Sequence, residues 1–118
     1  MTKRIDLPIG LADSELLEYS RTGNEVTVQV RTWNDKKLAL RFTETIGVLD
    51  LLAGDFSELL QDHAETTDFL ARALRNTYEV VPQEHPYHTY AFTNLDGDPS
   101  LIIVAENYQL APVETQQQ

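Results

Sequence analysis

A chain of 118 residues, 42% apolar and with a mean hydropathy of -0.34, fits one soluble globular domain. That length buries about two-thirds of the surface its unfolded form exposes. Nineteen acidic residues against nine Lys and Arg give a net charge of -10, which repels nucleic acid and anionic membranes and attracts cationic partners. Without cysteine there is no disulfide framework, thiolate nucleophile or Cys-based zinc site, and no apolar run approaches the roughly 18 residues of a membrane span.

Residues 1–13, with Pro8 and Gly10, read as an N-terminal arm. No apolar stretch of a signal peptide develops there, so a cytoplasmic location is the default expectation. Leu16–Ser20 reads as a strand, and Gly23-Asn24 as the tight turn that follows it. Val26, Val28 and Val30 then alternate with polar residues, as do Leu38, Leu40 and Phe42 after Trp33-Asn34-Asp35-Lys36. Two period-2 runs joined this way predict an antiparallel hairpin with one apolar face, and the chain from 14 to 43 a three-stranded meander.

Thr45–Leu52 is apolar on both parities and reads as a fourth strand, in which Gly47 marks a bulge or a close approach. Phe56, Leu59, Leu60 and His63 are spaced for one or two helical turns. The main helix is expected over Asp62–Asn76, with an apolar stripe of Phe69, Leu70, Ala73 and Leu74, acids in its first turns and arginines in its last. That stripe is expected to meet Val28, Leu40 and Ile103. Short strands are expected at Tyr78–Val81 and Tyr87–Thr93. A turn at Asn94–Pro99 leads to Leu101–Ala105, a continuous apolar run that reads as a strand buried on both faces. The polar tail 112–118 is expected to be disordered. The fold class is therefore α+β: a single domain over 1–118, a curved antiparallel sheet or open sandwich of six to seven strands with one main helix packed on it.

No motif specifies a reaction. Asn94-x-Asp96-x-Asp98 opens like a calcium loop, but Pro99 stands where that loop needs glycine and Ala105 where it needs an acid. His85 and His88 fall on opposite faces of a strand, so they do not converge on a metal. No serine sits in a nucleophile elbow and no glycine loop cradles phosphate. No catalytic residue, cofactor or metal is expected.

The basic residues all lie in the first 75 positions, and from Glu44 through Asp68 there are seven acids and no Lys or Arg. Within that segment Asp55, Glu58, Asp62, Glu65 and Asp68 recur at helix-like intervals. If the stretch is helical they form one acidic ridge, a candidate surface for a basic protein such as a toxin. The competing site is a ligand pocket between sheet and helix, lined by Tyr87, His88 and Tyr90.

The succession Leu16-Leu17-Glu18-Tyr19, Val26-x-Val28-x-Val30, Trp33-Asn34, Leu38-x-Leu40-x-Phe42 and Ile46-Gly47-Val48 resembles small bacterial immunity proteins of polymorphic-toxin systems. The likeness spans about residues 14–50. It implies a single-domain, acidic, cytoplasmic protein that neutralises a toxin by covering its active site, and it carries over no individual binding residue. Function is thus expected to be non-enzymatic protein binding. A small-ligand-binding or enzymatic domain is the alternative.

Overall fold

The computed structural model describes residues 2–5 and 11–112. After a two-residue strand β1 (Lys3–Arg4), the alternation of the first half becomes a meander of β2 (Ser14–Thr22), β3 (Glu25–Arg31) and β4 (Lys37–Thr43). Val26, Val28 and Val30 are fully buried and stand opposite Phe42, Leu40 and Leu38 in the ladder. Gly23, at φ +60°, makes the β2–β3 turn in which Thr22 pairs with Glu25.

The second half adds β5 (Gly47–Asp50), β6 (Asp55–Phe56), β7 (Glu58–Gln61), a 3-10 turn at Ala64–Thr66, helix α1 (Thr67–Thr77), β8 (His88–Thr93), β9 (Pro99–Ala105) and β10 (Asn107–Pro112). Two antiparallel five-stranded sheets result, in the orders β1-β7-β8-β9-β5 and β10-β4-β3-β2-β6. The ten strands exceed the expected six or seven because long strands bend from one sheet into the other. β4 runs into β5, β9 into β10 and β6 into β7. The ladder is carried around these corners by Ile46 N–H donating to the Val104 carbonyl at 2.8 Å, Glu106 N–H to Thr43 at 3.1 Å, and Ser57 N–H to Thr93 at 2.8 Å. Alternation alone does not register a corner, so the bent strands read as fewer elements.

Between the sheets lies the main core, built from the β3 and β4 residues above together with Phe56, Leu59, Tyr90, Phe92, Leu101, Ile103 and others. Each such side chain, fully buried, contributes about 1.5–3 kcal/mol. β9 is buried on both faces, as its apolar run predicts, with Leu101 through Ala105 all at 4% exposure or less. Its second face is covered by α1, and this corrects the expected helix packing. The helix lies outside the sandwich, so its stripe does not meet Val28, Leu40 and Ile103, which face the other sheet. Ala73 and Leu74 are buried and Leu70 only partly so. A Cβ at Gly47 would stand 3.1 Å from the Phe69 ring and 3.2 Å from the Ala73 methyl, so this glycine is where β5 lets the helix come close.

Three further expectations are revised. The segment 55–63 is extended rather than helical, forming β6 and β7. Phe56 and Leu59, three residues apart, would face opposite ways on a straight strand, but the corner at Ser57 turns both into the core. α1 begins at Thr67, not Asp62. Asp62 sits at φ +58°, and the 3-10 turn is capped by His63, whose Nδ1 accepts from Glu65 N–H at 3.0 Å. Tyr78–Val81 pairs with no strand, and Val80 is 82% exposed. Part of the expected arm is ordered: β1 pairs with β7 and Ile5 is buried. Of the expected tail, Pro112 belongs to β10, and 113–118 lie outside the described residues. Among the described residues no helix is long and apolar enough to cross a membrane.

Candidate functional site

The strand register brings together acids that the sequence keeps apart. Glu15 of β2 pairs with Asp55 of β6 on one side and with Arg31 of β3 on the other. Like charges opposed across a ladder repel. The Arg31 guanidinium, 3.2 Å from the Glu15 carboxylate, offsets this for Glu15. Asp55 has no cationic partner among the described residues, and neither do Asp13, at φ +59° just before β2, and Asp96 in the β8–β9 turn. That turn is held by the Asn94 side-chain oxygen, which accepts from the N–H of Asp96 at 2.9 Å and of Asp98 at 3.0 Å. Asn94 Oδ1 is thus occupied by backbone, and among the described residues no group of three or more His, Asp or Glu is placed to hold a metal.

Asp13, Glu15, Asp55 and Asp96 surround a cleft of about 380 Å³, with Phe56 and Ser57 also in its wall. The Ser57 Oγ is shielded from solvent and has no hydrogen-bond partner. Leu95, at the cleft edge, is 83% exposed. Nearby in the chain, Leu52, three residues before Asp55, is 94% exposed, and Trp33, two residues past Arg31, is 63% exposed. At the cleft itself, exposed Leu95 stands beside carboxylates without cationic partners among the described residues.

The expected acidic ridge is not a single feature. Asp55 belongs to this cleft. Glu58, on β7, lies 4.0 Å from Arg4 in the wall of an adjoining cavity of about 610 Å³. Asp62 turns away to His88. Glu65 and Asp68 border a third depression of about 300 Å³ between α1 and β5, with Leu49, Phe69 and Arg72. The ridge depended on continuous helix from 55 to 68, and the chain there is two strands, a turn and a helix start.

The expected pocket is not assembled either. Tyr90 is 2% exposed and faces the opposing sheet, with ring centroids 5.2 Å from Phe42 and 5.4 Å from Tyr108, so it does not lie between sheet and helix. Burial, with Tyr108 and Asp62 nearby, pushes its phenol up to about 12. Tyr87 stacks instead with His85 and meets Tyr78 edge-on, and burial followed by Tyr78 raises its phenol too. His88 Nδ1 lies 3.0 Å from Asp62 Oδ2 and 3.2 Å from Gln61 Nε2. These contacts exclude each other: a protonated Nδ1 donates to Asp62, and an unprotonated one accepts from Gln61. Among the described residues no hydroxyl hydrogen-bonds to His88. The two threonine hydroxyls close by, Thr66 and Thr89, bond to one another at 2.7 Å. The Asp62–His88 pair therefore stands beside no side-chain hydroxyl nucleophile among the described residues.

Sequence reasoning missed Asp13, Glu15 and Asp96 as neighbours of Asp55, and it placed Trp33 only in the loop of the hairpin. Only long-range pairing joins these acids. The one local signal was an aromatic in a polar hairpin loop. Compared with known proteins, the chain matches no family model, no curated protein and no solved structure.

Proposed function

We propose that this chain is a non-enzymatic, acidic protein-binding domain, and in its sharpest form a toxin-neutralising immunity protein of a bacterial competition system. One observation carries the reading: Leu95, 83% exposed, stands at a cleft lined by Asp13, Glu15, Asp55 and Asp96, in a chain of net charge -10. An exposed leucine beside carboxylates suits a partner of the opposite charge. The charges speed encounter and the apolar groups set how long the complex lasts. The rival reading, a small-ligand or enzymatic pocket, draws little support from Tyr87, His88 and Tyr90: His88 lies edge-on to Tyr90, but Tyr90 is closed in by Phe42 and Tyr108, and Tyr87 sits against His85 and Tyr78.

An immunity protein is encoded beside its toxin, which provides the test. The full chain is produced together with the product of the adjacent gene, and growth and co-elution on size exclusion are measured. A stoichiometric complex with relief of growth inhibition supports the reading. A neighbour that is harmless, or toxic but neither bound nor neutralised, overturns the immunity role.

A further inference from the structure

We propose that β10 is a self-association edge, at which two copies of this chain pair antiparallel about a two-fold axis at Gln109. The contact is independent of the cleft and of the protein-binding reading above. Four strands end the two sheets, and three of them are blunted by shortness or charge. β1 is two basic residues, β6 is two residues including Asp55, and β5 ends in Asp50. β10 is six residues long and carries no Asp, Glu, Lys or Arg. Of the other strands only β8 and β9 lack these residues, and both are paired on each side. The last edge is thus composed like an interior strand, and among the described residues it pairs with β4 alone.

The ladder fixes which of its backbone groups point outward. Thr32 N–H donates to the Lys36 carbonyl at 2.8 Å and Glu106 N–H to the Thr43 carbonyl at 3.1 Å. Even-numbered β4 residues therefore bond to β3, and odd-numbered ones to β10. Asn107 and Gln109, opposite Thr43 and Arg41, turn their N–H and C=O groups inward, and Tyr108 and Leu110 turn theirs out. An axis at Gln109 sets Tyr108 opposite Leu110 of the second copy, in a pair that exchanges both bonds. Every outward N–H of the strand is then used, and Pro112, with no N–H to give, falls at the end of the ladder. Tyr108 and Leu110, half-buried against the core, meet across the seam as an aromatic–aliphatic pair. Local charge suits a second copy as well. β4, the next strand in, carries Lys37 and Arg41 and no acid, which offsets part of the repulsion between two chains of net charge -10.

The test reads self-association of the full chain by sedimentation equilibrium, with amide hydrogen exchange alongside. A dimer should form by about 0.1 mM and tighten as salt screens the like net charges. Exchange at Tyr108 and Leu110 should slow as concentration rises, while exchange at β1 and β6 should not. In Gln109→Glu the new carboxylate faces Arg41 within its own sheet but its own copy across the axis. It should weaken the dimer at least about tenfold, with an unchanged melting temperature at a dilution where the chain is monomeric. Gln109→Lys should also weaken it, and an equimolar mixture of the two variants should recover the dimer, because Glu then opposes Lys. A parent chain that stays monomeric, a dimer indifferent to both variants, or a mixture that recovers nothing would overturn the proposal. Protection of Tyr108 and Leu110 only in complex with a different protein would overturn it too, by assigning the edge to a foreign strand.

Discussion

Asp55 and Asp62 lie in one acid-only segment, yet their surroundings are built to opposite plans. Asp62 is tied in from several directions. Its N–H donates to the Thr89 carbonyl at 2.9 Å, its carboxylate takes His88 at 3.0 Å, and its carbonyl accepts from the Thr2 hydroxyl at 3.2 Å. Beside it Tyr90, Phe42 and Tyr108 pack ring against ring. Asp55 sits on a two-residue strand, facing Glu15, with no cation to answer it. The carboxylate at 62 fastens the fold together. The one at 55 is held by the fold but does little for it, which is the condition under which a charged group is free to serve a partner.

The sharpest way to break the comparison is to strike the aromatic cluster on the Asp62 side. Phe42 is fully buried and touches the rings of both Tyr90 and Phe92, so Phe42→Ala should cost about 3–5 kcal/mol in denaturant titration. Double replacement of Asp55 and Asp96 should stay within about 0.5 kcal/mol of the parent. A cost at the cleft comparable to that at Phe42 would mean that the acids there hold the structure up, and the contrast would be lost.

A smaller effect sharpens the same contrast through pH. The Tyr90 phenol is pushed up to about 12 because burial disfavours its charged form, with Tyr108 and Asp62 adding to this. A group whose pKa is raised on folding stabilises the native state fully below its unfolded value of about 10 and ceases to do so as pH climbs through the folded value. Melting temperature should therefore fall between about pH 10 and 12, and Tyr90→Phe should flatten that fall while keeping the ring contacts. An identical alkaline profile for the variant would show that Tyr90 does not carry the transition.

These two regions also differ in how far the sequence could show them. The meander, the β3–β4 face and the doubly buried β9 follow from period-2 alternation and a five-residue apolar run, because both are local records of which side faces the core. The two-sheet arrangement was hidden by its corners, at 44–46, Ser57 and Glu106, where parity resets without any glycine or proline to mark it. Phe56, Leu59, Leu60 and His63 mimic a helix for that reason. The helix itself was legible, but the face of the sheet it covers was not: Ile103 and its neighbours are equally apolar, and only register decides that Ile103 looks into the sandwich. The cleft was the least legible part. Its acids come from three separated stretches, and acids are so abundant in this chain that their proximity can be read only from strand pairing.

The smallest effect belongs to Leu52, and it bears most directly on function. This residue is 94% exposed and held at φ +61°, a conformation that costs a β-carbon-bearing residue roughly 1–2 kcal/mol and suits asparagine or glycine better. The loop keeps it there: Asp50 Oδ1 accepts from Ala53 N–H at 2.9 Å, and Leu51 N–H donates to Ser100 O at 2.8 Å. Packing offers no return, since nothing covers the side chain. Leu52→Asn should therefore raise stability by up to about 1 kcal/mol, a gain of a few degrees in melting temperature. If the leucine is kept out in solvent to meet a partner, the same change should speed dissociation of the co-eluting basic partner, with little effect on its association, because an apolar contact acts after encounter. A variant that is more stable and binds as well as the parent would leave the strained leucine without a role at this surface. A variant that loses stability would point to packing of Leu52 as its purpose instead.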